Sequence, residues 1–374
     1  VIRFLLAPDK FKESLSSFEV CKAIEEGLLQ ACPLFRVVKL PMADGGDGLA
    51  DVIRFYTGAV AQSAVVKDPL GRTIDAEWLL SADRKTAFIE MAEASGLARL
   101  KPTEYNPLET STFGTGQLIR AAVEAGVQHV ILGIGGSATN DGGIGMAAAL
   151  GIRFLDENDN ELAPVGGNLG RISTIDRSAM INLRSVNFEV ACDVKNSLLG
   201  TDGATFVYSP QKGADAIMLQ RLEEEMQHFA AILRKALGID VMGIEGGGAA
   251  GGMGAGCVAF LNARLVSGIE LVMHYAAFDK HLPEADILIT GEGKIDEQTL
   301  QGKVVAGVAA LARQHHKRVI AFCGSQSISS AKLSAGGIDA IFPIIKYPMT
   351  LEEAKKNAFA FLKDTAFSVG SLLK

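Results

Sequence analysis

The stretch from His129 to Leu155, HVILGIGGSATNDGGIGMAAALGIRFL, constrains the fold more than any other in the chain. Its apolar run, Val130 to Leu132, reads as a buried strand that breaks at Gly133, Gly135 and Gly136. Ser137, Thr139, Asn140 and Asp141 follow, and a small-residue helix restarts at Gly142. A strand, a polar glycine loop and a helix start together present backbone N–H groups and the positive end of a helix dipole to an anion. Phosphate suits this loop, with Gly135, Gly136, Ser137, Thr139, Asn140 and Asp141 as the contacting residues. Two other readings stand beside it. Gly133, Gly135 and Ala138 fit the dinucleotide pattern G-x-G-x-x-G/A, with Asp156 near the ~20-residue offset of a ribose-binding acid. Alternatively, Asn140 or Asp141 does no more than cap a helix after a tight turn. Against the dinucleotide pattern, the helix between Asp141 and Gly151 is short for a crossover, and a pyrophosphate turn needs little but backbone.

At 374 residues the chain exceeds what one core usually supports, so two domains are expected. No apolar run approaches the ~20 residues of a membrane helix, and VIRFLLAPDK has no cleavage site behind its short apolar run, so the chain reads as soluble and cytoplasmic. The net charge of -7 and the lack of a long basic run argue against a nucleic-acid partner. Anionic ligands would then need local lysines or Mg2+. Five scattered cysteines with no C-x-x-C pair fit a reducing compartment without structural zinc.

Both chain ends share one style, in which apolar strands feed polar loops. Ile2 to Leu6 opens into Asp9, Lys10 and Lys12, and Ser16 with Glu19 forms a capping box for a helix carrying Val20, Ala23, Ile24, Gly27 and Leu28 on one face. Phe35 to Leu40 closes on Asp44 and Asp47. Ala285 to Thr290 empties into a glycine-hinged loop, Gly291 to Asp296, where Glu292 and Asp296 suit Mg2+, or one of them orients a hydroxyl, and Lys294 suits phosphate; an exposed charged loop is the alternative. Lys303 opens the next helix, two more buried strands follow at Arg318 to Phe322 and Ala340 to Ile345, and the tail from Leu351 is an amphipathic helix. Doubly wound folds gather ligands at strand carboxyl ends, so Asp9, Lys12, Asp44 and Asp47 converge in this reading; turn chemistry is the alternative for Asp44 and Asp47.

The middle of the chain differs. Ala59 to Leu80 alternates as a hairpin around Asp68 to Arg72, and a domain boundary is expected near there, between 60 and 75. Thr110, Ser111, Thr112 and Thr115 make a hydroxyl-rich stretch that either caps a helix or walls a ligand. Asn187 to Ala191 is a strand closing on Asp193, a charge that calls for a metal, a lysine or a substrate hydroxyl nearby. Asp215 to Ala236 is a long amphipathic helix on which His228 is structural. Gly246 to Gly256 serves as a pocket wall or as close packing. The expected fold is therefore α/β with two α/β domains. One is a Rossmann-like or flavodoxin-like parallel sheet built from residues 1–70 plus 280–374. The other is a mixed α/β domain, 71–279, inserted in the middle, with the active site in the cleft.

APDKFKESLS, PMADGGDG, GTGQLI, GIGGSATNDGGIG, CDVKN, PQKGA, GGMGAG and TGEGKIDEQTLQGKV, in this order over nearly the whole chain, resemble the recurring motifs of the type I glycerate kinase family. The resemblance implies ATP-dependent phosphorylation of D-glycerate, typically at the 2-hydroxyl to give 2-phosphoglycerate, with Mg2+ and a two-domain α/β architecture. Consistent with a distinct apparatus, the chain has no G-x-x-x-x-G-K-S/T, no H-R-D and no D-F-G. On this reading Gly135 to Asp141, with Gly291 and Gly293, hold phosphate or substrate and Mg2+ sits near Glu292 and Asp296. Lys12 or Lys294 offsets negative charge, and Asp44 or Asp193 accepts the hydroxyl proton. The partners are D-glycerate and a nucleotide, with the chain a monomer or homodimer. The alternatives are 3-phosphoglycerate as product, or a nicotinamide-dependent oxidoreductase of small hydroxy acids. Lys195 and Ser197 stand where family members commonly show Thr and Pro, and Asp47 where they often show Glu.

Overall fold

The computed structural model describes residues 1–46, 48–300 and 304–374; Asp47 and Lys303 lie outside the described residues. Contacts divide the chain into two compact units, Val1–Asp44 with Ile269–Lys374, and Gly45–Gly268. In chain order the strands are β1 (Arg3–Leu6), β2 (Arg36–Lys39), β3 (Val60–Lys67), β4 (Thr73–Leu80), β5 (Thr86–Glu90), β6 (His129–Gly133), β7 (Arg153–Leu155), β8 (Thr174–Asp176), β9 (Asn187–Ala191), β10 (Arg264–Val266), β11 (Ile287–Ile295), β12 (Arg318–Gln326) and β13 (Ala340–Pro343).

In the first unit, β13-β12-β11-β1-β2 form one parallel sheet. Read from the β2 edge, this is the flavodoxin-like order of a doubly wound sheet. Its central strands are continuous apolar runs because helices cover both faces, and Phe4, Leu5, Leu6, Ile287, Leu288 and Ile289 are accordingly buried. The helix Ser17–Ala31 starts on the Ser16/Glu19 capping box and lays Val20, Ala23, Ile24 and Leu28 into a core shared with Ala358, Leu362 and Ala366 of the helix Leu351–Leu373. The two helices approach closely at Gly27, where a Cβ would sit 2.2 Å from the Lys363 carbonyl oxygen.

β11 runs further than the sequence suggests. Gly291, Glu292, Lys294 and Ile295 pair with Phe322, Cys323, Ser325 and Gln326 of β12, so the stretch expected as a loop is mostly strand. Gly291 is required there by close approach, since a Cβ would lie 2.3 Å from the Phe322 carbonyl oxygen.

The second unit is built on a sheet in the order β10-β9-β6-β5-β4-β3, parallel from β10 to β5 and antiparallel beyond. The β3–β4 hairpin lies inside this unit. Asp68 shapes its turn by accepting the N–H groups of Leu70 and Arg72, and Gly71 supplies a φ of +80°. β7 and β8 pair only with each other. The helix Ala216–Leu237 is capped by Asp215 and buries Leu222, Met226, Phe229 and Leu233 in the core. Among the described residues, no helix is long and apolar enough to cross a membrane.

Candidate functional site

In the first unit the sheet reverses its order between β1 and β11, and the segments leaving their carboxyl ends meet there. Asp9, Lys12, Asp44, Glu292, Gly293, Lys294 and Asp296 line one cavity of about 480 Å3, with Phe11, Ile344, Leu351 and Ala354 as its apolar side. This is the crevice that a topological switch point leaves open in a doubly wound sheet. The chain after β1 is fixed along β11: Ala7 N–H donates to the Ile289 carbonyl at 2.7 Å, Asp9 N–H to the Gly291 carbonyl at 2.9 Å, and Thr290 Oγ1 to the Ala7 carbonyl at 2.8 Å. Gly291 therefore anchors Asp9 rather than lining the cavity. Gly293 lets the backbone of Phe11 and Lys12 lie against it, its Cβ position being 3.3 Å from Lys12 N.

Asp9 is 7% exposed, and burial, reinforced by the neighbouring charges of Asp44 and Glu292, pushes its carboxyl up to about 8. The Lys10 N–H, 2.7 Å from Asp9 Oδ1, opposes this. Lys294 Nζ lies 3.0 Å from Asp296 Oδ2. The cavity thus combines hard oxygen donors with ammonium groups. Among the described residues, no three His, Cys, Asp or Glu side chains are gathered so as to hold a metal by themselves. The donor chemistry still fits Mg2+, which takes one or two carboxylates and completes its shell with water and phosphate oxygens.

In the second unit, the loop after β6 is locked by buried side chains. Asp141 is fully buried and accepts from Thr112 N and Oγ1 at 2.8 Å each, from Gly143 N at 3.1 Å and from Gly145 N at 3.2 Å. Burial raises its pKa and these hydrogen bonds oppose the rise. Asn140 accepts from Ser209 Oγ at 3.1 Å. Lys212 Nζ donates to Ser137 Oγ at 2.8 Å and to the Thr139 carbonyl at 2.6 Å. Thr139, Asn140 and Asp141 thus turn inward. Gly135 and Gly136 remain half-buried and exposed, and the N–H groups of Gly135, Gly136 and Ser137 make no hydrogen bond to another described residue. The helix dipole expected behind this loop is slight, because Gly142 and Gly143 take φ of +59° and +79° and only Ile144–Ala149 is helical.

The remaining nominated residues have structural partners. Asp193 Oδ1 accepts from Ser267 Oγ at 2.8 Å and Gly268 N at 2.9 Å. The hydroxyls of Thr110, Ser111, Thr112 and Thr115 bond to Ala138, Pro164, Asp141 and Ser95 respectively. The Gly246 to Gly256 stretch packs backbone on backbone: a Cβ at Gly251 would lie 2.0 Å from the Thr139 carbonyl oxygen, and one at Gly256 2.4 Å from that of Gly142. His228 Nε2 meets the Ile172 carbonyl at 2.7 Å. The dinucleotide reading fails on topology. The strand carrying Asp156 leaves the main sheet, and Asp156 accepts the N–H groups of Asn158 and Asn160 in the β7–β8 connection.

A larger hollow of about 1210 Å3 opens at the amino-terminal ends of β6, β9 and β10, where Glu189 pairs with Arg264 and His129. It gathers none of the nominated residues and lies at the wrong end of these strands for a doubly wound site. Sequence reasoning gave no role to Lys212, which is 1% exposed, and placed Asp9 among the converging acids without assigning it one. For Asp9 the signal was there, an acid closing an apolar strand. Lys212 carried a signal only as part of the PQKGA motif, and no role followed from it because a lysine before a glycine in a short polar stretch reads as a solvated turn.

A doubly wound unit with lysines and carboxylates at its switch point has the parts of a small-molecule phosphotransferase without a P-loop, and the second unit separately carries a glycine loop with bare N–H groups. The sequence model described as the Glycerate kinase family matches residues 4–374, and the chain belongs to that family. It is 47% identical over 374 residues to the glycerate kinase of Bacillus cereus, covering 100% of this chain and 98% of the relative. It is 44% identical over 359 residues to the glycerate 2-kinase of Escherichia coli, covering 96% and 94%. A crystal structure from Salmonella typhimurium, provisionally assigned as glycerate kinase 2, superposes with a TM-score of 0.86 at 45% identity, covering 100% and 98%.

Proposed function

We propose that the chain transfers the γ-phosphoryl group of ATP to the 2-hydroxyl of D-glycerate, giving 2-phosphoglycerate and ADP. Family membership supports glycerate phosphorylation, and the Escherichia coli relative named glycerate 2-kinase supports the 2-position. The observation that carries the assignment of residues is the cavity of the first unit, where Asp9, Lys12, Asp44, Glu292 and Lys294 surround one space.

Phosphoryl transfer asks a protein to position two reactants and to neutralise charge developing on the transferred group. In this proposal Lys12 and Lys294 offset phosphate charge. Glu292, with Asp296, would hold Mg2+, which when bound would supply electrostatic stabilisation of the transferring group. Asp44 accepts the proton of the attacking hydroxyl, beside an Asp9 that burial keeps protonated. Asp193 is less suited as base, because its Oδ1 already accepts from Ser267 Oγ and Gly268 N. In the second unit the Gly135 to Asp141 loop offers the N–H groups of Gly135 and Gly136 and the Ser137 hydroxyl to phosphate or to the substrate. The five free cysteines fit a cytoplasmic setting.

ADP release coupled to NADH oxidation, measured with and without D-glycerate, tests the reaction. Proton and phosphorus NMR of the product tests the position: phosphorus coupled to the single C2 proton is expected, whereas coupling to the C3 methylene pair would assign 3-phosphoglycerate. No glycerate-dependent ADP release would overturn the proposal.

A further inference from the structure

Lys212 has a role that the sequence does not announce. It ends the short turn Pro210–Lys212, and Gly213 follows at φ +96°, packed so closely that a Cβ would sit 2.3 Å from the Tyr105 carbonyl oxygen. That turn sends the Lys212 side chain into the interior, where its ammonium reaches Ser137 Oγ and the Thr139 carbonyl. The same segment grips the loop at Ser209, bonded to Asn140. From the other side, Leu97 N–H donates to the Gly136 carbonyl at 2.8 Å and Ala138 N–H to the Ser95 carbonyl at 2.9 Å. The backbone around Ser137 is thereby held from two directions.

Burying an ammonium is costly unless its hydrogens are taken, and here two acceptors take two of its three. Burial pushes Lys212 down to about 7, with Asp141 opposing. Because Nζ donates to Ser137 Oγ, the Ser137 hydroxyl keeps its own hydrogen for another acceptor. Ser137 is 8% exposed, so that hydrogen lies close to the surface formed by Gly135 and Gly136.

We propose that Lys212 is a positioning residue for phosphoryl transfer: by occupying an acceptor site on Ser137 Oγ and holding the Thr139 carbonyl, it orients the Ser137 hydroxyl as a donor to an anionic oxygen of phosphate or carboxylate. The inference rests on the reading of the Gly135 to Asp141 loop as a substrate contact. Lys212 itself touches no reactant.

The test is a double-mutant cycle on kcat and KM with Ser137→Ala, Lys212→Met and the double variant, each checked for folding by circular dichroism. Ser137→Ala should lower kcat/KM about 10-fold or more, the worth of one hydrogen bond to a charged group. Lys212→Met should lower it at least as much. The double variant should fall within about 3-fold of the worse single variant, because the lysine acts through the serine. Independent, multiplying losses would overturn the role of Lys212 while leaving the loop reading intact. An unchanged Ser137→Ala enzyme would overturn the loop reading and the inference with it. If Lys212→Met does not fold, Lys212→Leu, which likewise lacks a donor, replaces it in the cycle. Failure of both to fold would show a structural role only and overturn the proposal.

Discussion

Replacing Asp9 by Asn removes an ionisation that the fold resists. In the unfolded chain this carboxyl loses its proton near its ordinary value of 3.8, whereas in the folded chain it keeps it up to about 8. Between those values folding binds one proton, so this group's contribution to stability falls as pH rises, by up to about 1.4 kcal/mol per pH unit. From pH 5.5 to pH 8.5 the whole effect is bounded at about 3 kcal/mol, and about 2 kcal/mol is expected once Asp44 and Glu292 share the titration. Asn keeps the shape of Asp9 and the acceptor for Lys10 N–H but has no charge to bury. Urea unfolding of wild type and Asp9→Asn at the two pH values reads the effect directly. The variant should gain about 2 kcal/mol on wild type between pH 5.5 and 8.5. A gap that stays constant, or shifts toward wild type, would refute the claim that burial and like charge keep Asp9 protonated.

Glu292→Gln should weaken Mg2+ binding, raising the Mg2+ concentration for half-maximal rate about 10-fold or more, as a titration of initial rates would show; an unchanged requirement places the ion elsewhere. Gly27→Ala should destabilise the first unit by about 1–3 kcal/mol, since its Cβ position is 2.2 Å from the Lys363 carbonyl oxygen; thermal unfolding without a lowered Tm would contradict that contact. Asp156→Asn should leave turnover unchanged, and NADH should give no saturable fluorescence change; saturable binding lost in the variant would revive the dinucleotide reading.

What was legible in the sequence were features carried by period and by punctuation. The buried strands at Phe4 to Leu6 and Ile287 to Ile289, the capping box at Ser16 and the helix after Asp215 follow from local patterns that tertiary packing did not override. Acids at strand carboxyl ends were legible for the same reason, since a charge closing an apolar run needs explaining. The extension of β11 was not, because Gly291 and Gly293 imitate a hinge while their pairing with β12 lies some thirty residues away in the chain. The hydroxyls from Thr110 to Thr115 and the side chains of Asn140 and Asp141 looked ligand-facing because sequence records polarity and not direction. The long-range approach of Thr112 and Lys212 turned that polarity inward. Gly251 and Gly256 are explained by carbonyls of a segment more than a hundred residues earlier, which no local window contains.

The central claim is that the acids and lysines at the switch point of the first unit carry out the transfer. Single-turnover phosphorylation of D-glycerate by wild type and by Asp44→Asn, with ATP affinity measured on the same preparations, tests it most directly. The account predicts that the transfer rate falls about 100-fold or more in the variant while the ATP Kd changes less than about 3-fold. An Asp44→Asn enzyme that phosphorylates glycerate at the wild-type rate would contradict it.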